Sequence, residues 1–300
     1  MKPVDILLAV SVPVIWGGGF LFAKVAIEHF PPILLMAFRF TLAALILVWF
    51  VPRPARVILW RIFWVAMVSA AIQYSLTFTG LRDLDASTAI LVVQLEVPFG
   101  VIMATIFLKD HLGLRRVLGI ALAFAGVALI AGEPRLQGSI LPVLLVVGGA
   151  FTWSLGQVMI KTLGQVGGFT LIAWVAVFAT PQLFMSSWIF ERDQLAAIAS
   201  ATTVVWSAVV YLALVMTALG YAIWYYLLGK YDVNQIMPFL LLLPVCTVLG
   251  SVILLDESLT LQTTIGGLTA IIGVTIINVT RNPFRRRAQG VLPTESSTHN

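Results

Sequence analysis

Ten apolar segments, each about long enough to cross a bilayer, follow one another through 300 residues with almost no sequence between them. At ~1.5 Å per helical residue, about 20 residues cover the ~30 Å hydrocarbon core. Interruptions by charge or by Pro and Gly place the spans over residues 4–27, 32–51, 62–81, 86–108, 115–132, 140–160, 169–190, 204–228, 233–254 and 264–280. With 60% hydrophobic and 10% charged residues, the chain excludes a water-soluble globule. Backbone facing lipid must satisfy its hydrogen bonds internally, and the runs lack the strict alternation of a barrel strand. The expected fold class is therefore an all-α integral membrane protein of ten transmembrane helices.

Orientation follows from Lys and Arg. With the amino terminus cytoplasmic, thirteen of the eighteen fall in inner segments, Arg53, Arg56, Arg115, Arg116 and Arg285 to Arg287 among them. The outer loops hold only Arg82, Arg135 and Arg192, and two more, Lys24 and Arg39, lie within spans. This positive-inside bias puts both termini in the cytoplasm. The net charge of +5 then belongs to topology and anionic lipid, and residues 281–300 read as a basic, polar cytoplasmic tail rather than a nucleic-acid arm. Cys246 is alone, so no intramolecular disulfide forms. The first span is too long for a signal-peptide core and carries Lys24.

The two halves resemble each other in order. A shift of 137 residues aligns Trp16 with Trp153, Gly19 with Gly156 and Lys24 with Lys161. A shift of 146 aligns Pro98 with Pro244, and one of 147 aligns Gly119 with Gly266, Ala123 with Ala270 and Gly126 with Gly273, placing Asp110 opposite Glu257. An ordered series of this kind signals duplication. Five spans per copy is an odd number, so the second copy enters from the opposite side. Two inverted five-helix repeats are a secondary-transporter architecture, with a central site reachable from either side.

Trp16-Gly17 and Lys24 in the first span, Pro31-Pro32 and Phe38-Arg39-Phe40 in the second, then Gly119 to Gly126, Gly220 to Trp224, Leu243-Pro244-Val245 and Leu255 to Thr260 complete a pattern. In that pattern the chain resembles the EamA-type carriers of the drug/metabolite transporter superfamily. Among them it is similar to bacterial inner-membrane exporters of amino-acid metabolites such as cysteine and O-acetylserine. The resemblance implies two EamA-like repeats, 1–132 and 140–280, a small-molecule substrate and no cofactor. The chain departs from the family in having Lys109-Asp110 in place of a Gly-Glu pair, and Glu96 where relatives carry an uncharged polar residue.

Ionisable residues inside a bilayer cost roughly 2.5–3.5 kcal/mol each on insertion scales, so each demands a reason. Glu96 sits near the middle of its span, stable there only if protonated, paired or wetted, which suits a proton-coupling residue. Gln94, on nearly the opposite helical face, reads as a packing contact. Arg39, about 10 Å below the outer end at ~1.5 Å per residue, fits either an outward-stretching cation or a fork for a substrate carboxylate, and its depth allows a pair with Glu96. Lys24 reads as an anchor at the span end. Trp16 and Trp153 lie too deep for an interfacial belt and fit either helix packing or cavity walls. Tyr74, with Gln73 and Thr77, and Tyr221 with Trp224 are candidates for the same walls.

No phosphate-binding loop and no Cys, His or carboxylate cluster with metal spacing occurs, and no loop holds room for a catalytic domain. The chain is thus expected to be no enzyme. Its expected function is secondary active export of amino acids or derived metabolites by alternating access, driven by protons, as monomer or homodimer. Alternatives of the same fold are a carrier of drugs, metallophores, purines or polyamines. A membrane-embedded lipid-phosphate transferase using Glu96 and Arg39 is the rival outside transport.

Overall fold

The computed structural model describes residues 1–108, 113–133, 139–164, 166–231 and 233–278. The tail 281–300 and the Lys109-Asp110 pair lie outside the described residues. The long helices run in order α1 (Pro3–Ile27), α2 (Pro32–Phe50), α3 (Arg56–Arg82), α4 (Ala86–Phe107), α5 (Leu114–Ala131), α6 (Leu141–Lys161), α7 (Gly168–Phe190), α8 (Thr203–Lys230), α9 (Phe239–Leu254) and α10 (Leu261–Asn278). Among the described residues there is no strand. Prolines at the first turns of α1, α2 and α6 suit positions whose N–H has no helical partner.

Nine of these helices are long and apolar enough to cross a membrane, against the expected ten. The exception is α9, which begins as a 3-10 stretch at Met237–Leu241. Pro238 and Pro244 supply no N–H, and the ring of Pro244 crowds the carbonyl four residues back, which weakens the α-helical ladder here, and the regular α-helix starts only at Leu242. The same cause acts on α4. Pro98 displaces the carbonyl of Gln94, and the helix breaks into Ala86–Val93 and Glu96–Leu108.

Two further irregularities have no proline. α3 carries a π-helical segment at Met67–Ile72, and α8 one at Tyr211–Leu219. Each π turn inserts residues into the helical ladder and leaves carbonyls free for other partners. Tyr74 and Tyr221 are each the second residue beyond their segment.

The chain alternates between two ends of the bundle. At one, here the Glu257 end, lie the connections 28–31, 83–85, 191–202 and 255–260; at the other, the Lys230 end, lie 51–55 and 162–167. Packing crosses the halves: α1 lies on α8 and α9, α2 on α7, α3 on α6, and α4 on α9. α5 and α10 pack closely because glycines face backbone, and a Cβ on Gly126 would sit 2.5 Å from Ala270 N and Gly266 O. The outer surface is apolar, with Trp49, Trp60, Trp188 and Phe190 exposed where lipid would lie.

Candidate functional site

A cavity of about 230 Å³ lies at the centre of the bundle, its wall including Trp16, Arg39, Tyr74, Glu96, Trp153 and Tyr221. A second chamber of about 250 Å³ shares all of these except Glu96 and continues past Trp224, Tyr225, Ile160 and Leu171. The last three stand near the Lys230 end, so the space extends that way. All seven residues singled out from sequence stand on the walls of these chambers.

Arg39 is buried, and the π segment of α8 helps to hold it. Thr217, within that segment, donates to Leu212 O at 2.8 Å and accepts from Arg39 Nε at 3.1 Å. The rings of Tyr74 and Phe40 lie 4.7 and 5.3 Å from the guanidinium carbon, covering it with aromatic faces. Its Nη groups meet only Met36 Sδ at 3.8 Å and Tyr74 Oη at 3.4 Å. No carboxylate of the described residues lies within ion-pair distance of Arg39. The pair with Glu96 that depth allowed is therefore not made. The reason is local: Thr217 and the two rings fix the guanidinium on the α8 side of the cavity.

Glu96 opens the second half of broken α4, and Ser154 of α6 donates to its backbone carbonyl at 2.8 Å. Its carboxylate lines the first chamber without a hydrogen bond from the described residues. The break also changes its neighbour. Gln94, expected on the opposite face, lines the same chamber, because the turn at residues 94–95 interrupts the helical periodicity that separated them. Gln73 donates to Thr77 Oγ1 at 3.2 Å, and its buried side-chain oxygen has no donor.

The aromatic wall rests on one close approach. Trp16 donates its indole N–H to Met216 O, a π-segment carbonyl, at 3.2 Å. That approach requires glycine at position 220, where a Cβ would stand 2.5 Å from Trp16 Nε1. Trp16 then meets Tyr221 and Trp224 with ring centroids 5.0 and 5.8 Å away.

The Glu257 end is closed by contacts between the halves. Glu257 accepts from Ala86 N at 2.6 Å, Ser87 N at 3.0 Å and Ser87 Oγ at 2.7 Å. Glu191 accepts from Ile33 N at 2.7 Å, Leu34 N at 3.0 Å and Ser187 Oγ at 2.7 Å. Burial pushes the Glu191 carboxyl up, and these donors partly offset it. Lys24 donates to the carbonyls of Leu81, Arg82 and Leu84 at 2.7–3.0 Å, capping α3 as an anchor would. At the other end Asp5 joins Lys230 at 2.8 Å and Tyr231 Oη at 2.5 Å. Sequence reasoning missed Glu191, Glu257 and Asp5. One local sign existed: the N-cap position of α2 is Pro31, whose side chain cannot cap, so that N-terminus needs an acceptor from elsewhere; Asp85 before α4 is a favoured cap residue by type, and only the structure shows that it makes no side-chain cap.

The EamA-like transporter family matches residues 4–132 and again 140–279. A probable amino-acid metabolite efflux pump of Salmonella typhimurium is 31% identical over 301 residues, covering 96% of this chain and 99% of its own. One of the same description from Escherichia coli is 31% identical over 271 residues, 87% and 90% of the two chains. A probable terminal-alkyne amino-acid exporter of Streptantibioticus cattleyicolor is 28% identical over 69% of this chain and 68% of its own. A crystal structure at 18% identity superposes over 92% of this chain and 96% of that one with a TM-score of 0.63, a likeness of fold alone. The apolar helices and bacterial relatives place the protein in the bacterial inner membrane as a multi-pass transporter rather than an enzyme. The chain belongs to the EamA-like transporter family.

Proposed function

We propose that this protein is a secondary active exporter of amino acids or small amino-acid-derived metabolites, working by alternating access and coupled to protons through Glu96. The observation that carries the reading is the central cavity, which is charged, lies between two halves of the chain, extends toward the Lys230 end and is sealed at the Glu257 end. On this reading the Lys230 end is cytoplasmic, as the positive-inside bias expects, and the conformation is inward-facing. The polypeptide crosses ten times as two inverted five-helix repeats with both termini inside. Support for the inversion comes from matched irregularities: π segments in α3 and α8, each two residues before a tyrosine, and breaks in α4 and α9 beside Pro98 and Pro244. The cavity is enclosed by one chain, so a monomer suffices and a homodimer is not needed for the site.

Energetically the coupling is adequate. One charge moved across 100 mV supplies about 2.3 kcal/mol, and at about 1.4 kcal/mol per tenfold this sustains roughly a forty-fold gradient. The relatives are named for amino-acid metabolites and an amino acid, which supports the substrate class. Counterflow in proteoliposomes with labelled cysteine, O-acetylserine and an aromatic amino acid tests the reading. Saturable exchange by the wild type, with Glu96→Gln keeping exchange at saturating substrate even if its affinity falls, and losing accumulation driven by a pH gradient, is the expected result. No exchange of any amino acid would overturn the substrate class, and full gradient-driven accumulation by Glu96→Gln would remove Glu96 from coupling.

A further inference from the structure

Arg39 and Glu96 face one cavity, and neither charge is balanced there. The guanidinium has five N–H donors. Nε is spent on Thr217, the rings of Tyr74 and Phe40 pack against the guanidinium from neighbouring positions, and the Nη groups keep only a weak sulfur contact and a 3.4 Å contact to Tyr74 Oη. What is left is the planar edge that binds a carboxylate bidentately. The Glu96 carboxylate, on α4, takes no hydrogen bond from the described residues. Gln73 on the same wall holds a second acceptor, its buried side-chain oxygen, also without a donor. Tyr221 lines the same cavity as Arg39 and Glu96.

Leaving a buried charge unpaired costs several kcal/mol, and a ligand bearing one sign of charge relieves one residue while repelling the other. A cation meets Glu96 and is opposed by Arg39; an anion does the reverse. Only a ligand with both charges close together satisfies both. The remaining wall is aromatic, with Trp16, Trp153 and Tyr221 offering apolar faces and no further charge.

We propose that the cavity recognises a zwitterionic head group, with the ligand's carboxylate on the free edge of Arg39, its ammonium on Glu96 and the Gln73 oxygen, and a neutral side chain against the aromatic wall. The proposal rests on the exporter reading above and narrows it: the exported molecule keeps a free α-amino and a free α-carboxylate group, so Nα-acylated amino acids and α-carboxylate esters are excluded, whereas acylation of the side chain, as in O-acetylserine, is not. Both charges act together, because each residue is left uncompensated when its half of the ligand is missing.

The test is competition against counterflow of labelled leucine in proteoliposomes, and thermal-shift binding to the purified full-length protein, using leucine, leucine methyl ester, N-acetyl-leucine and the corresponding phenylalanine set. The wild type should prefer the zwitterions by about a hundred-fold over either blocked form, since a site built to bond a group strongly rejects ligands that lack it. The variants should then cross. Arg39→Gln loses zwitterion affinity while ester affinity holds or rises, and Glu96→Gln loses it while N-acetyl affinity holds or rises. Arg39→Lys keeps the charge without the fork and should retain part of the carboxylate preference. A merely structural role for either residue would depress all ligands together, and that outcome overturns the proposal. Equal competition by leucine and its methyl ester in a protein that still exchanges leucine overturns the head-group assignment and leaves the exporter reading standing. Failure to bind or exchange any amino acid removes both.

Discussion

Replacing Glu257 with alanine isolates the closure of one end of the bundle. One carboxylate accepts from Ala86 N, Ser87 N and Ser87 Oγ at 2.6, 3.0 and 2.7 Å, tying the connection after α9 to the first turn of α4. Hydrogen bonds to charged groups contribute about 1.5–3 kcal/mol each where both partners are buried. Here the three share one half-buried acceptor and water can replace part of the loss, so about 2–4 kcal/mol is the contribution of the whole contact, roughly a 30- to 700-fold change in the closed-to-open ratio. On the alternating-access reading proposed above, the contact joins two halves that separate when this end opens, and its loss acts on that equilibrium. The assay uses a Cys246→Ser background with Val93→Cys, which places a thiol on the wall of the first chamber, and a membrane-impermeant maleimide added outside. The thiol should label slowly in the parent and at least about tenfold faster with Glu257→Ala, with Glu257→Gln in between because it keeps one acceptor. Equal rates in all three, with unchanged melting temperature, would mean that the contact is a local helix cap with no part in closure.

Three further outcomes follow from the same geometry. Gly220→Ala sets a Cβ 2.5 Å from Trp16 Nε1, so exchange should fall about tenfold or more and stability by about 1–3 kcal/mol in detergent melts; unchanged exchange would detach Trp16 from the site. Gly126→Ala presses on backbone at 2.5 Å and should destabilise by a similar 1–3 kcal/mol, roughly, whereas Gly100→Ala has nothing within 4 Å and should be neutral or gain about 0.5–1 kcal/mol through helix propensity; melting curves of the two compared with wild type decide this. For Glu191, burial raises the carboxyl above its ordinary value in the closed arrangement, so closure binds a proton relative to the opened form. Its contribution to closure is therefore complete below the ordinary glutamate value and declines as pH rises through the raised one. External labelling of Val93→Cys should increase over that window and lose its slope in Glu191→Gln; a slope that persists there assigns the titration to another group.

The helical crossings were legible because lipid imposes a single rule on every residue, and hydropathy over about 20 residues reads it directly. Proline does not mark a break by itself: Pro98 lies beside the one next to Glu96, whereas α1 and α7 run unbroken through Pro13 and Pro181. The π segments were not legible. Met67–Ile72 and Tyr211–Leu219 contain no proline, and the segment Tyr211–Leu219 meets partners from other helices: Trp16 donates to Met216 O and Arg39 to Thr217 Oγ1. The misplacement of Gln94 has the same origin, because helical periodicity stops at a break whose turn geometry is set by packing against α6. Glu191 and Glu257 were unread for a different reason: the backbone N–H groups that each binds lie more than 150 residues away in sequence, and no local pattern says which acceptor reaches them.

The irregularities and the charges belong to one arrangement. A straight α-helix satisfies its own backbone and offers a cavity only side chains; a break or a π turn releases carbonyls and N–H groups at mid-membrane depth, where they can hold a polar side chain in place without water. Here the π segment of α8 supplies Thr217 and Met216 O, which fix Arg39 and Trp16, while the break in α4 sets Glu96 at the head of a half-helix clamped by Ser154. Each charge is thus positioned by partners that do not neutralise it. Had the chain instead paired Arg39 with Glu96, both insertion costs would have been offset internally and the cavity would present no net attraction to a charged solute. Held apart, the same two residues leave both charges open to a molecule that carries both, and on the proposal above this is how a site at the centre of a bilayer draws a polar substrate out of water.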